Sequence, residues 1–174
     1  MTTVVRLSPD LELQTESSAE TRALGAALAG VAMAGDRIGL RGELGAGKTQ
    51  LAKGFAAGLG VRDTVNSPSF TLMAEYQGRL PLFHLDLYRL AGADDVVAGG
   101  LLDERQGEGV TLIEWPERLS SILDPGRLEI EISIAGPDQR LVRMRAAGAM
   151  QNRFLDAARE AAPDFARMAA SSRP

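Results

Sequence analysis

Helical segments are indicated along the chain by apolar residues that recur every three or four positions. The first follows Ser17 and Glu20, which have the spacing of a capping box, and it continues through the apolar positions of 23–31. A second helix is predicted at Leu51–Leu59, and Ala91–Gln106 is predicted to combine helix and loop. Helices with one apolar face are expected to pack against a core.

Strands are indicated by short apolar runs and by alternation of apolar and polar residues. The predicted strands are Val4–Leu13, Arg37–Arg41, Phe70–Tyr76, Leu80–Tyr88, Val110–Trp115, Leu128–Ile134 and Arg140–Arg145. Turn residues at Gln77–Arg79 and Gly136–Asp138 join two pairs of these strands into antiparallel hairpins. The pattern predicts an α/β fold in which a mixed β-sheet is flanked by helices.

A glycine-rich segment lies between the strand Arg37–Arg41 and the helix Leu51–Leu59. From Gly42 to Thr49 it matches G-x-x-x-x-G-K-[ST] at every specified position, which makes the fold P-loop NTPase-like. In such a loop, glycines allow close approach to a phosphate, and backbone N–H groups point at the β-phosphate. Lys48 supplies positive charge to the β- and γ-oxygens, and the Thr49 hydroxyl binds Mg²⁺. The predicted ATP-binding residues are Glu43, Leu44, Gly45, Ala46, Gly47, Lys48, Thr49 and Gln50.

A P-loop also needs an acidic residue for magnesium and a group that orients the attacking water. Two predicted strands end in candidates, since Asp86 follows Pro81–Leu85 and Glu114 follows Val110–Ile113. The residues alone leave open which acid reaches the metal, and whether either is only a strand-end carboxylate bonded to a neighbouring N–H. His84 is the single histidine, and alternation places it on the face of Asp86. A packed or surface histidine is favoured there over a direct catalytic role.

Composition restricts the classes of protein that fit. The 174 residues are 45% hydrophobic and 24% charged, the balance of one ordinary globular domain. The absence of cysteine excludes disulfides and thiolate metal sites and fits a reducing cytoplasm. Neither a signal peptide nor a membrane span is expected. The net charge of −4 argues against direct binding of nucleic acid, for which a basic excess is typical.

The chain is interpreted as a P-loop ATPase domain at 1–148 followed by a helical extension at 149–174. In the extension, apolar residues recur at helical spacing from Met150 to Met168. Such a stripe either packs on the same domain or faces a partner protein.

Four sequence blocks resemble, in their order and spacing, those of the TsaE family, formerly YjeE. These blocks are Leu44–Thr49, Ser67–Leu72, His84–Leu90 and Glu114–Glu117. The family consists of small bacterial ATPases of tRNA threonylcarbamoyladenosine (t6A) synthesis. The resemblance extends from about Leu13 to Arg145, and it is specific because all four blocks occur together.

The resemblance implies a cytoplasmic protein that works with two partners, TsaB and TsaD, whose complex transfers threonylcarbamoyl to tRNA. Hydrolysis of ATP would regulate or reset that complex, so tRNA would be reached only indirectly. The glutamate of the E-W-P block assigns Glu114 to magnesium, beside Thr49. The aspartate of the H-x-D-x-Y-R block places Asp86 near the γ-phosphate or its water, where it would act in catalysis together with Lys48. The block at 67–70 corresponds to a switch-like loop near the phosphates.

Other functions are weighed against this one. A small-molecule kinase would need an arginine-bearing lid, for which Arg89 or Arg105 could serve, although no lid segment separates the strands. A nucleotide-binding interaction module without hydrolysis would carry the same P-loop. A GTPase is disfavoured because the chain has no N-K-x-D tetrapeptide. Phosphate transfer to small metabolites would indicate the kinase, whereas release of free phosphate that depends on partners would indicate the ATPase.

Overall fold

The structure, a computed structural model, describes residues 9–119 and 126–171, with side chains as far as residue 163. Within these ranges the strands are Leu11–Thr15 (β1), Arg37–Arg41 (β2), Met73–Tyr76 (β3), Leu82–Asp86 (β4), Val110–Glu114 (β5), Leu128–Ile134 (β6) and Arg140–Ala146 (β7). The α-helices in the same ranges are Ser18–Gly30 (α1), Lys48–Gly58 (α2), Ala93–Ala98 (α3) and Asn152–Ser171 (α4).

These strands form one sheet in the order β1-β7-β6-β2-β5-β4-β3. The central strands β6, β2, β5 and β4 are parallel, and antiparallel strands extend the sheet on both sides. The predicted mixed sheet is therefore confirmed, and so are both hairpins, β3–β4 and β6–β7. Parallel strands place their carboxyl ends at one edge of a sheet, so β2, β4 and β5 end beside one another.

Helices cover both faces of the sheet. On one face α1, α2 and α4 enclose the larger hydrophobic core, in which Phe55 and Phe154 are fully buried. On the other face a smaller core combines Phe83 of β4 with Val96 of α3. Successive strand residues point to opposite faces, which is why β4 and β5 contribute to both cores and are buried along their whole length.

The start of α1 confirms the predicted cap. Ser17 is the N-cap residue, and its hydroxyl accepts a hydrogen bond from the Glu20 N–H (3.2 Å). The carboxylate of Glu20 accepts from the Glu16 N–H (2.6 Å), one residue before the position that a standard capping box would use. Glu20 is buried, and its carboxylate provides an acceptor for a backbone N–H just ahead of the helix.

Close packing of α1 on α2 is made possible by glycines. A Cβ atom added at Gly54 would lie 1.9 Å from the backbone oxygen of Arg22, and one added at Gly25 would lie 2.3 Å from that of Leu51. Both neighbours are backbone atoms, which have no rotamer to escape into. The two helices therefore approach at a distance that only glycine permits, and this contact holds the helix that begins with Lys48.

Several predicted elements differ in extent from those observed. Of the predicted strand Val4–Leu13, residues 4–8 lie outside the described ranges, and the observed strand runs from Leu11 to Thr15. The prediction of a strand from Phe70 was wrong for its first residues. The Leu72 N–H donates to the Pro68 oxygen (2.7 Å) and Leu72 has a φ of 67°, so the chain turns before β3 begins. The segment at 91–106 contains the short helix α3, and a 3₁₀ turn follows at Glu104–Glu108.

The helix α4 packs on the same face of the sheet as α1. Phe154 and Ala158 are fully buried in the larger core, and the Arg153 guanidinium donates to the Val31 oxygen (2.9 Å) at the end of α1. The helix continues through Pro163. Among the helices that the structure describes, none combines the length and the apolar character that a membrane crossing requires.

Candidate functional site

The glycine-rich loop connects β2 to α2 at the carboxyl edge of the sheet. Gly42 has a φ of 151° and Gly47 a φ of 108°, values that L side chains rarely adopt. A Cβ at Gly42 would also lie 2.5 Å from the Ile132 oxygen. Gly47 is the N-cap residue of α2, and because glycine has no side chain, no capping side chain occupies the first N–H groups of the helix. The first N–H groups of α2 are thus presented at the loop, as in anion sites at helix N-termini.

Lys48, the first residue of α2, is held inside this loop. Its side-chain ammonium donates to the backbone oxygens of Gly42 (2.6 Å) and Glu43 (2.9 Å), and the residue is only 6% exposed. The Nζ atom also lies 4.9 Å from the centre of the Trp115 ring, within range of a cation–π contact. Burial lowers the pKa of Lys48 below its ordinary value, and negative charge on Glu114 opposes that shift.

Asp86, at the end of β4, is buried, and both of its carboxylate oxygens accept hydrogen bonds. One carboxylate oxygen accepts from the hydroxyls of Ser67 (2.6 Å) and Ser69 (3.2 Å), and the other accepts from the Tyr88 N–H (3.0 Å). The bond to Tyr88 is the strand-end contact that the sequence left open as an alternative. The two serine bonds connect the acid to the loop at 67–70, so that loop and acid form one unit.

Glu114 occupies the same position at the end of β5. The strands β4 and β5 pair in register, with Asp86 opposite Glu114. The Glu114 carboxylate is bonded to the His84 imidazole (Nε2 to Oε1, 2.9 Å), and both side chains are buried. His84 is thus a packed strand histidine, as favoured from the sequence, but it touches a functional candidate that the sequence did not connect to it.

Arg140, the first residue of β7, supports the glycine-rich loop through hydrogen bonds to its backbone. Its guanidinium donates to the Ala46 oxygen (2.9 Å) and to the Gly45 oxygen (3.4 Å). It also donates to the Gly136 oxygen (3.2 Å) in its own hairpin. The hairpin β6–β7 is thereby attached to the P-loop. Sequence reasoning missed this residue because no motif marks it.

One cavity of about 450 Å³ collects most of the predicted site. Its lining includes Leu44, Gly45, Gly47, Lys48, Thr49, Gln50, Asp86 and Glu114. Ala46, within the loop, is fully buried, and the Glu43 backbone oxygen accepts a hydrogen bond from Lys48. Further residues of the lining are Ser18, Thr21, Tyr88, Asp138 and Arg140. Trp115 also lines the cavity, beside Tyr88 with 4.9 Å between ring centres, and is therefore a pocket aromatic.

The chemistry of this cavity fits a magnesium-bound nucleotide. Its volume lies within the range of small-ligand pockets, and its lining includes a lysine, the start of a helix and glycines of the loop. The Thr49 hydroxyl and the carboxylates of Glu114 and Asp86 are hard oxygen donors of the kind that Mg²⁺ prefers. Within the described residues no cluster of three or more His, Cys, Asp or Glu could hold a metal alone. Magnesium typically binds through one or two carboxylates together with substrate phosphates, so the donor set suits it.

The strand, the glycine-rich loop and the helix define a P-loop type of fold. Lys48 is the first residue of the helix, and acidic residues end the neighbouring strands. A family model described as threonylcarbamoyl adenosine biosynthesis protein TsaE matches residues 15–142. The chain belongs to the TsaE family, which confirms the resemblance drawn from its four sequence blocks.

Individual relatives agree with this assignment. The chain is 42% identical over 139 residues to the tRNA threonylcarbamoyladenosine biosynthesis protein TsaE of Bacillus subtilis, covering 79% of this chain and 87% of that protein. It is 38% identical over 126 residues to the protein of the same name from Treponema pallidum, covering 72% and 93% respectively. A crystal structure of Bacillus subtilis YdiB matches with a TM-score of 0.66 and 38% identity, over 88% of this chain and 95% of that one.

Proposed function

We propose that this protein is a magnesium-dependent ATPase of tRNA threonylcarbamoyladenosine synthesis, which acts in the cytoplasm on the complex of TsaB and TsaD. Binding and hydrolysis of ATP would regulate or reset that complex, and the chain would reach tRNA only through it. The observation that carries the proposal is the convergence of Lys48, Asp86 and Glu114 on one cavity beside a P-loop. Family membership supports the biosynthetic role, since its relatives are named for that synthesis.

Each residue has a role that its surroundings support. The first N–H groups of α2 and the Lys48 ammonium would bind the phosphates, with Lys48 exchanging its bonds to the oxygens of Gly42 and Glu43 for phosphate oxygens. Thr49 and Glu114 would hold Mg²⁺, which when bound neutralises the developing charge on the phosphates. Asp86 would orient the attacking water.

The contacts of Asp86 suggest how the nucleotide is sensed. The acid holds the hydroxyls of Ser67 and Ser69, so a water or phosphate that competes for its oxygens would also disturb the loop at 67–70. An exposed aromatic, Phe70, lies on this loop with 85% of its surface accessible. A change at the γ-phosphate would thus reach the protein surface through two hydrogen bonds.

Hydrolysis by the isolated chain is expected to be weak. Phosphoryl transfer is often accelerated by an arginine that neutralises charge in the transition state. Arg140 lines the cavity, but it donates to the backbone oxygens of Ala46 and Gly136 and so supports the loop. A partner that supplies charge or orders the loop at 67–70 would account for a dependence on TsaB and TsaD.

Phosphate release from ATP tests the proposal. The purified chain is assayed alone and with TsaB and TsaD from the same organism, and Lys48→Ala serves as the control. We expect the partners to stimulate release, and we expect the stimulation to vanish in the variant. Release that occurs but stays unchanged with competent partners would refute the proposed action on TsaB and TsaD. Transfer of the phosphate to a small metabolite would instead indicate the kinase, and ATP binding without any release would indicate the interaction module.

A further inference from the structure

We propose that His84 is a positioning residue that orients Glu114 toward magnesium. The inference deepens the proposed function and rests on it, because it takes Glu114 as a metal ligand. His84 itself would touch neither the metal nor the nucleotide. It is not among the residues that line the cavity, whereas Glu114 is.

The geometry of the pair is that of a ligand and its support. The imidazole Nε2 lies 2.9 Å from Glu114 Oε1, and the two side chains are 0% and 4% exposed. One carboxylate oxygen is thereby committed to His84, which leaves Oε2 as the oxygen for a ligand in the cavity. A glutamate side chain has several rotatable bonds, and a hydrogen bond at one oxygen restricts the direction of the other.

The other nitrogen of the imidazole supports the same assignment. His84 Nδ1 is buried and has no hydrogen-bond partner among the residues that the structure describes. In neutral imidazole one nitrogen carries the proton and the other accepts. Placing the proton on Nε2 makes that nitrogen the donor to the carboxylate, and it avoids a buried N–H at Nδ1 that would lack an acceptor.

Strand register makes this support rigid. β4 and β5 pair with His84 opposite Leu112 and with Asp86 opposite Glu114, so the imidazole reaches the acid diagonally across two hydrogen-bonded strands. His84 also lies two residues before Asp86, on the same face of β4. One strand therefore carries the proposed water-orienting acid and the residue that fixes the proposed metal ligand.

A plain packing role makes a different prediction from a positioning role. If His84 only filled the core, its replacement would lower stability and leave the affinity for magnesium unchanged. If it orients Glu114, loss of its N–H should weaken magnesium binding. Removal of such supporting hydrogen bonds typically costs about 10- to 100-fold in metal affinity or activity. The side-chain amide of glutamine can place an N–H close to the position of Nε2, whereas asparagine is one methylene shorter.

The test measures magnesium dependence in the full chain with a fluorescent ATP analogue. Binding of the analogue is followed in EDTA and during titration with MgCl₂, for wild type, His84→Gln and His84→Asn, with folding checked by circular dichroism. His84→Leu, which is apolar and has no donor, provides a second disrupting variant. Thermal melting of all variants reports stability separately.

We expect His84→Asn and His84→Leu to need at least about tenfold more magnesium than wild type, with affinity in EDTA little changed and His84→Gln close to wild type. Equal magnesium dependence of all folded variants would overturn the proposal, and so would a defect in His84→Gln as large as in His84→Asn. Glu114→Gln separates the two levels of the argument. If Glu114→Gln loses magnesium dependence while the His84 variants keep it, the positioning role alone fails. If Glu114→Gln also keeps it, the proposed metal ligand fails together with the positioning role.

Discussion

Replacing Gly54 by alanine should loosen the packing that positions the P-loop helix. The new Cβ would lie 1.9 Å from the Arg22 oxygen and 2.5 Å from its carbonyl carbon, both of them backbone atoms in the middle of α1. A carbon and an oxygen in van der Waals contact are more than 3 Å apart, so the helices must separate by about 1 Å or more. Because α2 begins with Lys48 and Thr49, the displacement would also reach the proposed phosphate site.

Two contributions of opposite sign set the magnitude. Overpacking of this kind costs about 1–3 kcal/mol, and the upper value applies where backbone is the obstacle. Alanine gains about 1 kcal/mol over glycine in a helix interior. The net loss of stability is therefore about 2 kcal/mol, which for a chain of this length corresponds to a fall of about 4–8 °C in Tm.

Thermal melting followed by circular dichroism provides the assay, with Gly30→Ala as the matched control. Gly30 is the last residue of α1, and an added Cβ would meet no atom within 4 Å. The control should stay within about 1 kcal/mol of wild type, either neutral or slightly more stable. A Gly54→Ala protein as stable as the control would show that the helices do not approach as closely as described.

Three further outcomes are expected. Glu114→Ala should raise the magnesium concentration required for ATP binding more than Asp86→Ala does, as measured by magnesium titration. The reverse order would mean that the roles of the two acids are exchanged. Arg140→Ala should weaken ATP binding in calorimetry, because the variant loses the hydrogen bond from the guanidinium to the Ala46 oxygen. A hydrogen bond from a charged group is worth about 1.5–3 kcal/mol. Unchanged affinity would contradict the supporting role of Arg140. In the proposed site, ATP binding uses the charged Lys48 ammonium, and burial lowers the pKa of this group. ATP affinity should therefore fall with rising pH before the ordinary pKa of 10.5 is reached. Affinity that is constant up to that pH would be inconsistent with the proposed site.

The glycine-rich loop and the mixed sheet were predictable because local patterns encode them. Gly42 and Gly47 stand where the backbone needs a positive φ, and the strand before them and the helix after them follow from periodicity. The strand ends at Asp86 and Glu114 were also recognisable from apolar runs. Parallel pairing then places both acids at the same edge, so the candidate acids could be predicted together with the P-loop.

Contacts between distant segments were not predictable in this way. Arg140 bonds to the oxygen of Ala46, 94 residues earlier in the chain, and this contact exists only because β6 pairs with β2 and the hairpin returns over the loop. Alternation placed His84 on the face of Asp86, but its bond to Glu114 depends on the register of two strands. The turn that ends at Leu72 was mistaken for strand because a positive φ at leucine has no sequence signal.

Calorimetric titration of the purified chain with ATP and MgCl₂ addresses the binding of ATP to this loop. Wild type is compared with Lys48→Ala and with Lys53→Ala, a control lysine in the same helix that does not line the cavity. We expect wild type and Lys53→Ala to bind one ATP per chain with similar affinity, and we expect Lys48→Ala to lose tight binding while it stays folded. Tight binding retained by Lys48→Ala, or no binding by wild type, would contradict the assignment of the cavity as the site for magnesium and ATP.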